Sequence, residues 1–131
     1  MFSNIDFFSE LTEKELETFG LFCQKRKFSN GEVIFEKGDD ATAMYLIDNG
    51  FLEVIDENKI LGVVKAGDIV GEMALFGKNN KRTATVKAIS DSVVIVILRF
   101  SIDELIKKHP FIYQKIKNII EKRLEENNKS L

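Results

Sequence analysis

The stretch Met44-Tyr45-Leu46-Ile47-Asp48-Asn49-Gly50-Phe51-Leu52-Glu53-Val54-Ile55-Asp56-Glu57-Asn58-Lys59-Ile60-Leu61-Gly62-Val63-Val64-Lys65-Ala66-Gly67-Asp68 decides the fold class. Three β-rich runs, at 44–47, 51–55 and 60–64, are separated by Asn49-Gly50 and Glu57-Asn58 and stopped by Gly67-Asp68. Gly and Asn tolerate backbone conformations that other residues avoid, so each pair marks a reversal of the chain. Working outward, further short runs lie at 33–35, 84–88 and 93–98, with Asn30-Gly31 and Gly38-Asp39 among the turns. Many short strands of this kind predict a β-sandwich or barrel across 29–98.

Helical patterns flank the strands. Leu11, Leu16, Phe19 and Phe22 fall at near-helical spacing, and Thr12 with Glu15 has the form of a capping box, which predicts a helix over about 12–23. Past the barrel, Ser101 and Glu104 have the same form, and a short helix is expected to reach His109 before Pro110 interrupts it. Pro110 suits the first turn of a final helix, whose apolar stripe is Ile112, Ile116, Ile119, Ile120 and Leu124. That stripe fits either the barrel or a second copy of the chain. Residues 125–131 are too polar to add core. The layers 1–28, 29–98 and 99–131 are therefore expected to form one domain spanning 1–131, with the phenylalanines, Phe7, Phe8, Phe19, Phe22, Phe28 and Phe35 among them, packing core and helix against barrel.

Composition excludes several function classes. With 19 basic and 21 acidic residues the formal net charge is −2, so no dominant positive field draws nucleic acid. No apolar run approaches the roughly 18 residues of a membrane span. Cys23 is unaccompanied, and the first residues lack the basic and apolar regions of a signal peptide, so a reducing cytoplasmic setting is expected. One histidine, His109, and one cysteine are too few for a typical metal centre, and no nucleophile-base pair is evident, so an enzyme built on a metal-holding barrel is disfavoured.

The chemistry concentrates in Gly71-Glu72-Met73-Ala74-Leu75 and, ten residues from the carboxylate, Arg82-Thr83-Ala84-Thr85. A carboxylate accepts hydrogen bonds from sugar hydroxyls, and a guanidinium grips phosphate with a planar, permanently charged fork. Together around a glycine-led turn they predict a sugar-phosphate pocket. A buried phosphate needs a neutralising partner, which Arg82 supplies, while Glu72 would repel phosphate and suits a sugar hydroxyl. Glycine at 71 avoids both a Cβ clash and the penalty of a positive φ.

The order of features resembles the cyclic nucleotide-binding domain, in particular the sensor half of the bacterial catabolite activator family. The resemblance covers essentially the whole chain. It rests on Gly31-Glu32-Val33-Ile34-Phe35 with Gly38-Asp39, Met44-Tyr45-Leu46-Ile47 with Gly50, Gly67-Asp68, Gly71 through Leu75, and Arg82-Thr83-Ala84-Thr85-Val86. It implies a double-stranded β-helix, or jelly roll, mainly β with an N-terminal helix and a C-terminal helical lid or dimerisation segment. It implies a noncatalytic sensor with no cofactor, whose ligand is cyclic AMP in preference to cyclic GMP. Arg82, Thr83 and the backbone N–H groups of Ala74 and Leu75 are expected on the phosphate, and Gly71 and Glu72 on the ribose. Leu61, Val70 and Met73 would wall the pocket, and Asn127, Asn128 and Arg123 would reach the base; Thr83 has a hydroxyl that serves phosphate or a guanine amino group. Signalling through the last helix, a homodimer through that helix and a separate effector protein are implied.

The chain departs from the family pattern at Lys81, where proline is frequent, and at Val70, where a bulkier neighbour is frequent. No helix-turn-helix follows residue 131, so the expected output lies in another chain or in a longer protein. The competing expectation is an interaction module with an empty or repurposed anion pocket.

Overall fold

A computed structural model of the chain describes residues 8–76 and 79–129, with side chains through Glu126. Its strands are β1 (Gln24–Phe28), β2 (Val33–Phe35), β3 (Ala43–Asn49), β4 (Phe51–Asp56), β5 (Lys59–Lys65), β6 (Ile69–Val70), β7 (Thr85–Ala88) and β8 (Ser92–Leu98). The helices are α1 (Glu13–Gly20), α2 (Glu72–Leu75), α3 (Arg99–Lys108) and α4 (Pro110–Lys129). Two four-stranded antiparallel sheets form, ordered β1-β8-β3-β6 and β2-β7-β4-β5. This is the mainly β jelly roll with flanking helices that the sequence predicts.

Strand periodicity explains how two cores share one sheet. Ala43, Tyr45 and Ile47 of β3 and Val94 of β8 point between the sheets, where they meet Phe35, Leu52, Val86 and Ala88. The alternate residues Met44, Leu46, Ile95 and Ile97 point outward onto Phe19, Ile102, Leu105, Ile112 and Ile116 of the helices. β3 and β8 are thus covered on both faces, which is why 93–98 reads as an unbroken apolar run. At Gly50, φ is +97° and a Cβ would lie 2.1 Å from Ser92 Oγ, so the β3–β4 reversal has room only for glycine.

The helical layer follows the sequence in part. Thr12 caps α1 as a full capping box, its hydroxyl accepting from the Glu15 N–H and its own N–H donating to the Glu15 carboxylate. The helix ends at Gly20 rather than running to Cys23, because the chain must turn to enter β1, a strand pairing with β8 that the sequence reading places in a helical layer. Phe22 falls on that turn and is 66% exposed, which corrects its assignment to the core. Ser101 is not a cap either. α3 begins at Arg99 straight out of β8, and its first N–H donates to the Thr42 carbonyl at 3.0 Å, so a tertiary contact replaces the expected side-chain cap.

His109 caps the C-terminus of α3 and Pro110 opens α4, as predicted. The histidine Nε2 also pairs with the Glu15 carboxylate, tying the α3–α4 elbow to α1. Ile112 and Ile116 are wholly buried against the chain's own core, Ile119 and Ile120 partly so, and Leu124 is exposed. The first half of the stripe therefore packs within the chain.

Candidate functional site

β6 is only two residues long and is followed by Gly71, whose φ of +85° turns the backbone abruptly into α2. A Cβ on Gly71 would sit 2.6 Å from Arg82 Nη1 and 3.5 Å from the Ala43 carbonyl oxygen. Contacts below about 3 Å do not occur for real Cβ atoms, so a Cβ here would both strain the left-handed backbone and displace the tip of the guanidinium.

Arg82 reaches that position from the segment leading into β7. Its Nη1 donates to the Gly71 carbonyl at 2.9 Å and its Nη2 to the Ala43 carbonyl at 2.7 Å. The guanidinium carbon lies 4.1 Å from the centre of the Phe35 ring, which is itself stacked on Tyr45. A desolvated cation over an aromatic face gains on the order of 2 kcal/mol, which helps to hold a charge that is only 4% exposed. Burial pulls the Arg82 pKa down, against the opposing influence of Tyr45, Asp39 and Glu72. Arginine nonetheless remains charged. Its Nε has no hydrogen-bond partner among the described residues.

Glu72 opens α2 and is 1% exposed. Arg123 of α4 donates to Glu72 Oε1, and the same guanidinium donates through Nη2 to the Ile69 carbonyl at 2.6 Å. Burial raises the Glu72 pKa, and Arg123 is the largest influence in the opposite direction. The other carboxylate oxygen, Oε2, is buried without a partner among the described residues. Each of these two charged residues therefore uses part of its hydrogen-bonding capacity within the protein and keeps a buried polar atom in reserve.

These groups line a cleft of about 790 Å³ bounded by β5, the β6–α2 turn, the entry to β7 and α4. Leu61, Val70, Gly71, Glu72, Met73, Ala74, Arg82, Thr83 and Arg123 all border it. Thr83 is exposed, whereas Ala74 is buried with its small side chain at the cleft wall. Leu75 does not border the cleft; its side chain is buried in the core beneath the helices. The side chains of Asn127 and Asn128 lie outside the described residues. Arg123, expected near the base, has its guanidinium on Glu72 and Ile69 instead.

The sequence reading missed the aromatic floor under Arg82 and the use of Arg123 as a strap between α4 and the β6–α2 turn. Phe35 was visible as the end of Gly31-Glu32-Val33-Ile34-Phe35, and only the β2–β7 pairing brings it near Arg82. Lys115, Asn118 and Lys122 also border the cleft from α4, a consequence of how that helix lies over it. Among the described residues no group of three or more His, Cys, Asp or Glu side chains is placed to hold a metal ion, and no helix is long and apolar enough to cross a membrane.

Comparison with known proteins places this geometry in a class. The family described as cyclic nucleotide-binding domain matches residues 25–109. The chain belongs to that family. A Rhodopseudomonas palustris protein bearing a potassium channel name is 35% identical over 130 residues, which cover 97% of this chain and 31% of that protein. The cyclic AMP receptor protein of Thermus thermophilus is 25% identical over 124 residues, covering 91% of this chain and 57% of that protein. Among solved structures, cAMP-bound PfPKA-R superposes with a TM-score of 0.87 at 24% identity, covering 97% of this chain and 44% of that one. The chain thus spans about a third of the first of these relatives and little more than half of the second.

Proposed function

We propose that this domain is a noncatalytic regulatory sensor for a 3′,5′-cyclic nucleotide. The observation that carries the reading is the pair of nearly fully buried opposite charges, Arg82 and Glu72, each with an unpartnered polar atom beside one cleft. Burying charge is costly unless partners compensate, so unmet hydrogen-bonding capacity of both signs in one cleft fits a ligand that carries an anion and hydroxyls. In this reading Arg82 and Thr83 hold the cyclic phosphate, with the backbone N–H group of Ala74 facing it; Leu75, which does not border the cleft, drops out of the phosphate set. Gly71 and Glu72 take the ribose, and Leu61, Val70 and Met73 wall the sugar and base. Glu72 then favours ribose over deoxyribose because its carboxylate accepts from the 2′-hydroxyl.

The base lies toward α4, with Arg123, Asn127 and Asn128 as the residues proposed to contact it, and cyclic AMP is favoured over cyclic GMP. Binding biases where α4 sits, and the signal passes to an effector elsewhere in the protein or in a cytoplasmic partner. A homodimer through α4 uses what its stripe leaves uncovered, Leu124 included. The test is calorimetry with cyclic AMP and cyclic GMP, together with thermal melting. Ligand at 100 times its dissociation constant stabilises by about 2.7 kcal/mol, and Arg82→Ala removes most of that gain. No heat at millimolar ligand with an unchanged melting temperature rejects the reading.

One observation favours a second reading, an interaction module with a repurposed pocket. Arg82 is bonded to two backbone carbonyls and Glu72 to Arg123, so both charges have structural partners within the chain. The same titration separates the two.

A further inference from the structure

We infer that the outer edge of β1 docks an extended, acidic segment of a partner protein as an added strand. β1 is the last strand of its sheet and, among the described residues, pairs only with β8, so its other side carries main-chain groups that no described strand meets. Its sequence is Gln24-Lys25-Arg26-Lys27-Phe28, and all but Phe28 are exposed. Immediately before it stand Leu21 and Phe22, 83% and 66% exposed, the two bulky apolar side chains of the α1–β1 turn. The opposite edge of the same sheet is treated differently: β6 lies under α4, with Arg123 bonded to the Ile69 carbonyl.

Lysine on an edge strand discourages pairing with another copy of the chain, and here it does so strongly. Antiparallel pairing of β1 with a second β1 would set cations opposite cations, which is destabilising. The same three charges favour an acidic strand. Two are lightly engaged: Lys25 Nζ is 3.3 Å from Asp48 and both side chains are substantially exposed, while the Arg26 guanidinium sits 5.2 Å from the Phe28 ring. Lys27 has no ion pair among the described residues.

Geometry selects a peptide over an anionic lipid surface. Successive strand side chains point to opposite faces, so Lys25 and Lys27 stand on one face and Arg26 on the other. A flat membrane cannot meet both sets at once. A strand added in the plane of the sheet places its own alternate side chains beside each of them. The acidic residues Glu13 and Glu17 of α1, exposed just before Leu21, also oppose approach of an anionic surface. The partner segment therefore carries consecutive acidic residues opposite 25–27 and an apolar residue that covers Phe22.

The test uses the whole chain, labelled for 1H–15N spectra, titrated with the blocked peptide TVEEEVI and separately with its lysine counterpart TVKKKVI. The acidic peptide is expected to shift amides at 21–28 and to slow hydrogen exchange along β1, with the lysine peptide inert. The triple variant Lys25→Glu, Arg26→Glu, Lys27→Glu weakens acidic-peptide binding by about tenfold or more and gains binding to TVKKKVI. That exchange of preference also shows that the variant is folded. Equal response to both peptides, shifts without any slowing of β1 exchange, or response only to phosphatidylserine vesicles overturns the proposal.

Discussion

Arg123 and Glu72 stand 51 positions apart in sequence, yet they form an ion pair that fastens α4 to the first residue of α2. The carboxylate is buried and the guanidinium is 26% exposed, so the pair lies between the surface and interior cases. Arg123→Ala leaves a buried acceptor unmatched and is expected to cost about 1–3 kcal/mol of stability without ligand. A fully buried pair would lose more, about 3–5 kcal/mol. The pH dependence gives a second check. Burial already raises the Glu72 pKa, and loss of Arg123 removes the strongest opposing influence, so it rises further. A carboxyl whose folded pKa lies above its unfolded value contributes stability below the unfolded pKa, and that stability is lost as pH rises through the folded pKa. The deficit of Arg123→Ala is therefore largest at neutral pH and shrinks in mild acid. Urea melts at pH 5 and pH 8 that show equal deficits would contradict this.

Gly71→Ala and Gly67→Ala separate backbone strain from crowding. Both glycines have positive φ, +85° and +94°, but a Cβ on Gly67 meets nothing within 4 Å whereas one on Gly71 meets the Arg82 guanidinium. Each substitution is expected to cost about 1–2 kcal/mol for the left-handed backbone. Only Gly71→Ala adds displacement of Arg82, so it melts lower than Gly67→Ala and, on the proposed function, loses cyclic-nucleotide stabilisation that Gly67→Ala keeps. Equal melting points and equal ligand responses in the two variants count against the role given to the Gly71–Arg82 contact.

Cys23 is predicted to be an inert thiol. It is half-buried against the helical core, its Sγ lies 3.4 Å from the Phe19 carbonyl, and burial pushes its pKa up to about 11. Thiolate is the reactive form, so alkylation by iodoacetamide at pH 7.5 should run on the order of a hundredfold slower than for a free thiol of pKa near 8.5. A rate within tenfold of glutathione in the same buffer refutes the assignment.

The legible parts of the fold were those whose signals are local. Asn49-Gly50 and Glu57-Asn58 mark turns whatever surrounds them, and the Thr12–Glu15 box closes within one helical turn. β1 was hidden because Gln24-Lys25-Arg26-Lys27 has no alternation: an edge strand exposed on both faces needs none. β6 was hidden by its two-residue length. At the site, Gly71, Glu72 and Arg82 were readable because they stand in two short local runs, Gly71-Glu72-Met73-Ala74-Leu75 and Arg82-Thr83-Ala84-Thr85, whose chemistry complements a sugar phosphate. Arg123 was recognised as close to the pocket but not as the partner of Glu72, since that pairing depends on how α4 crosses the sheet. Ser101 shows the opposite error, a local signal overridden when the Thr42 carbonyl took the first N–H of α3.

Glu15 serves two elements at once, closing the capping box of α1 and pairing with His109 at the elbow before α4. Its pKa is held below the usual 4.5, first by the Thr12 backbone N–H and next by His109. A depressed carboxylate pKa contributes stability that is present above the unfolded pKa and is lost as pH falls through the folded pKa. The wild-type chain should therefore lose stability from this source below about pH 4.5. Glu15→Gln preserves a side chain able to close the capping box but removes the charge that faces His109. It is expected to melt below the wild type at pH 6 and to show a shallower fall in melting temperature on acidification to pH 3. The companion His109→Gln discriminates the two roles: it should leave α1 capped while weakening the elbow. Parallel melting curves for wild type and Glu15→Gln across that range would show that the charge facing His109 contributes nothing to stability.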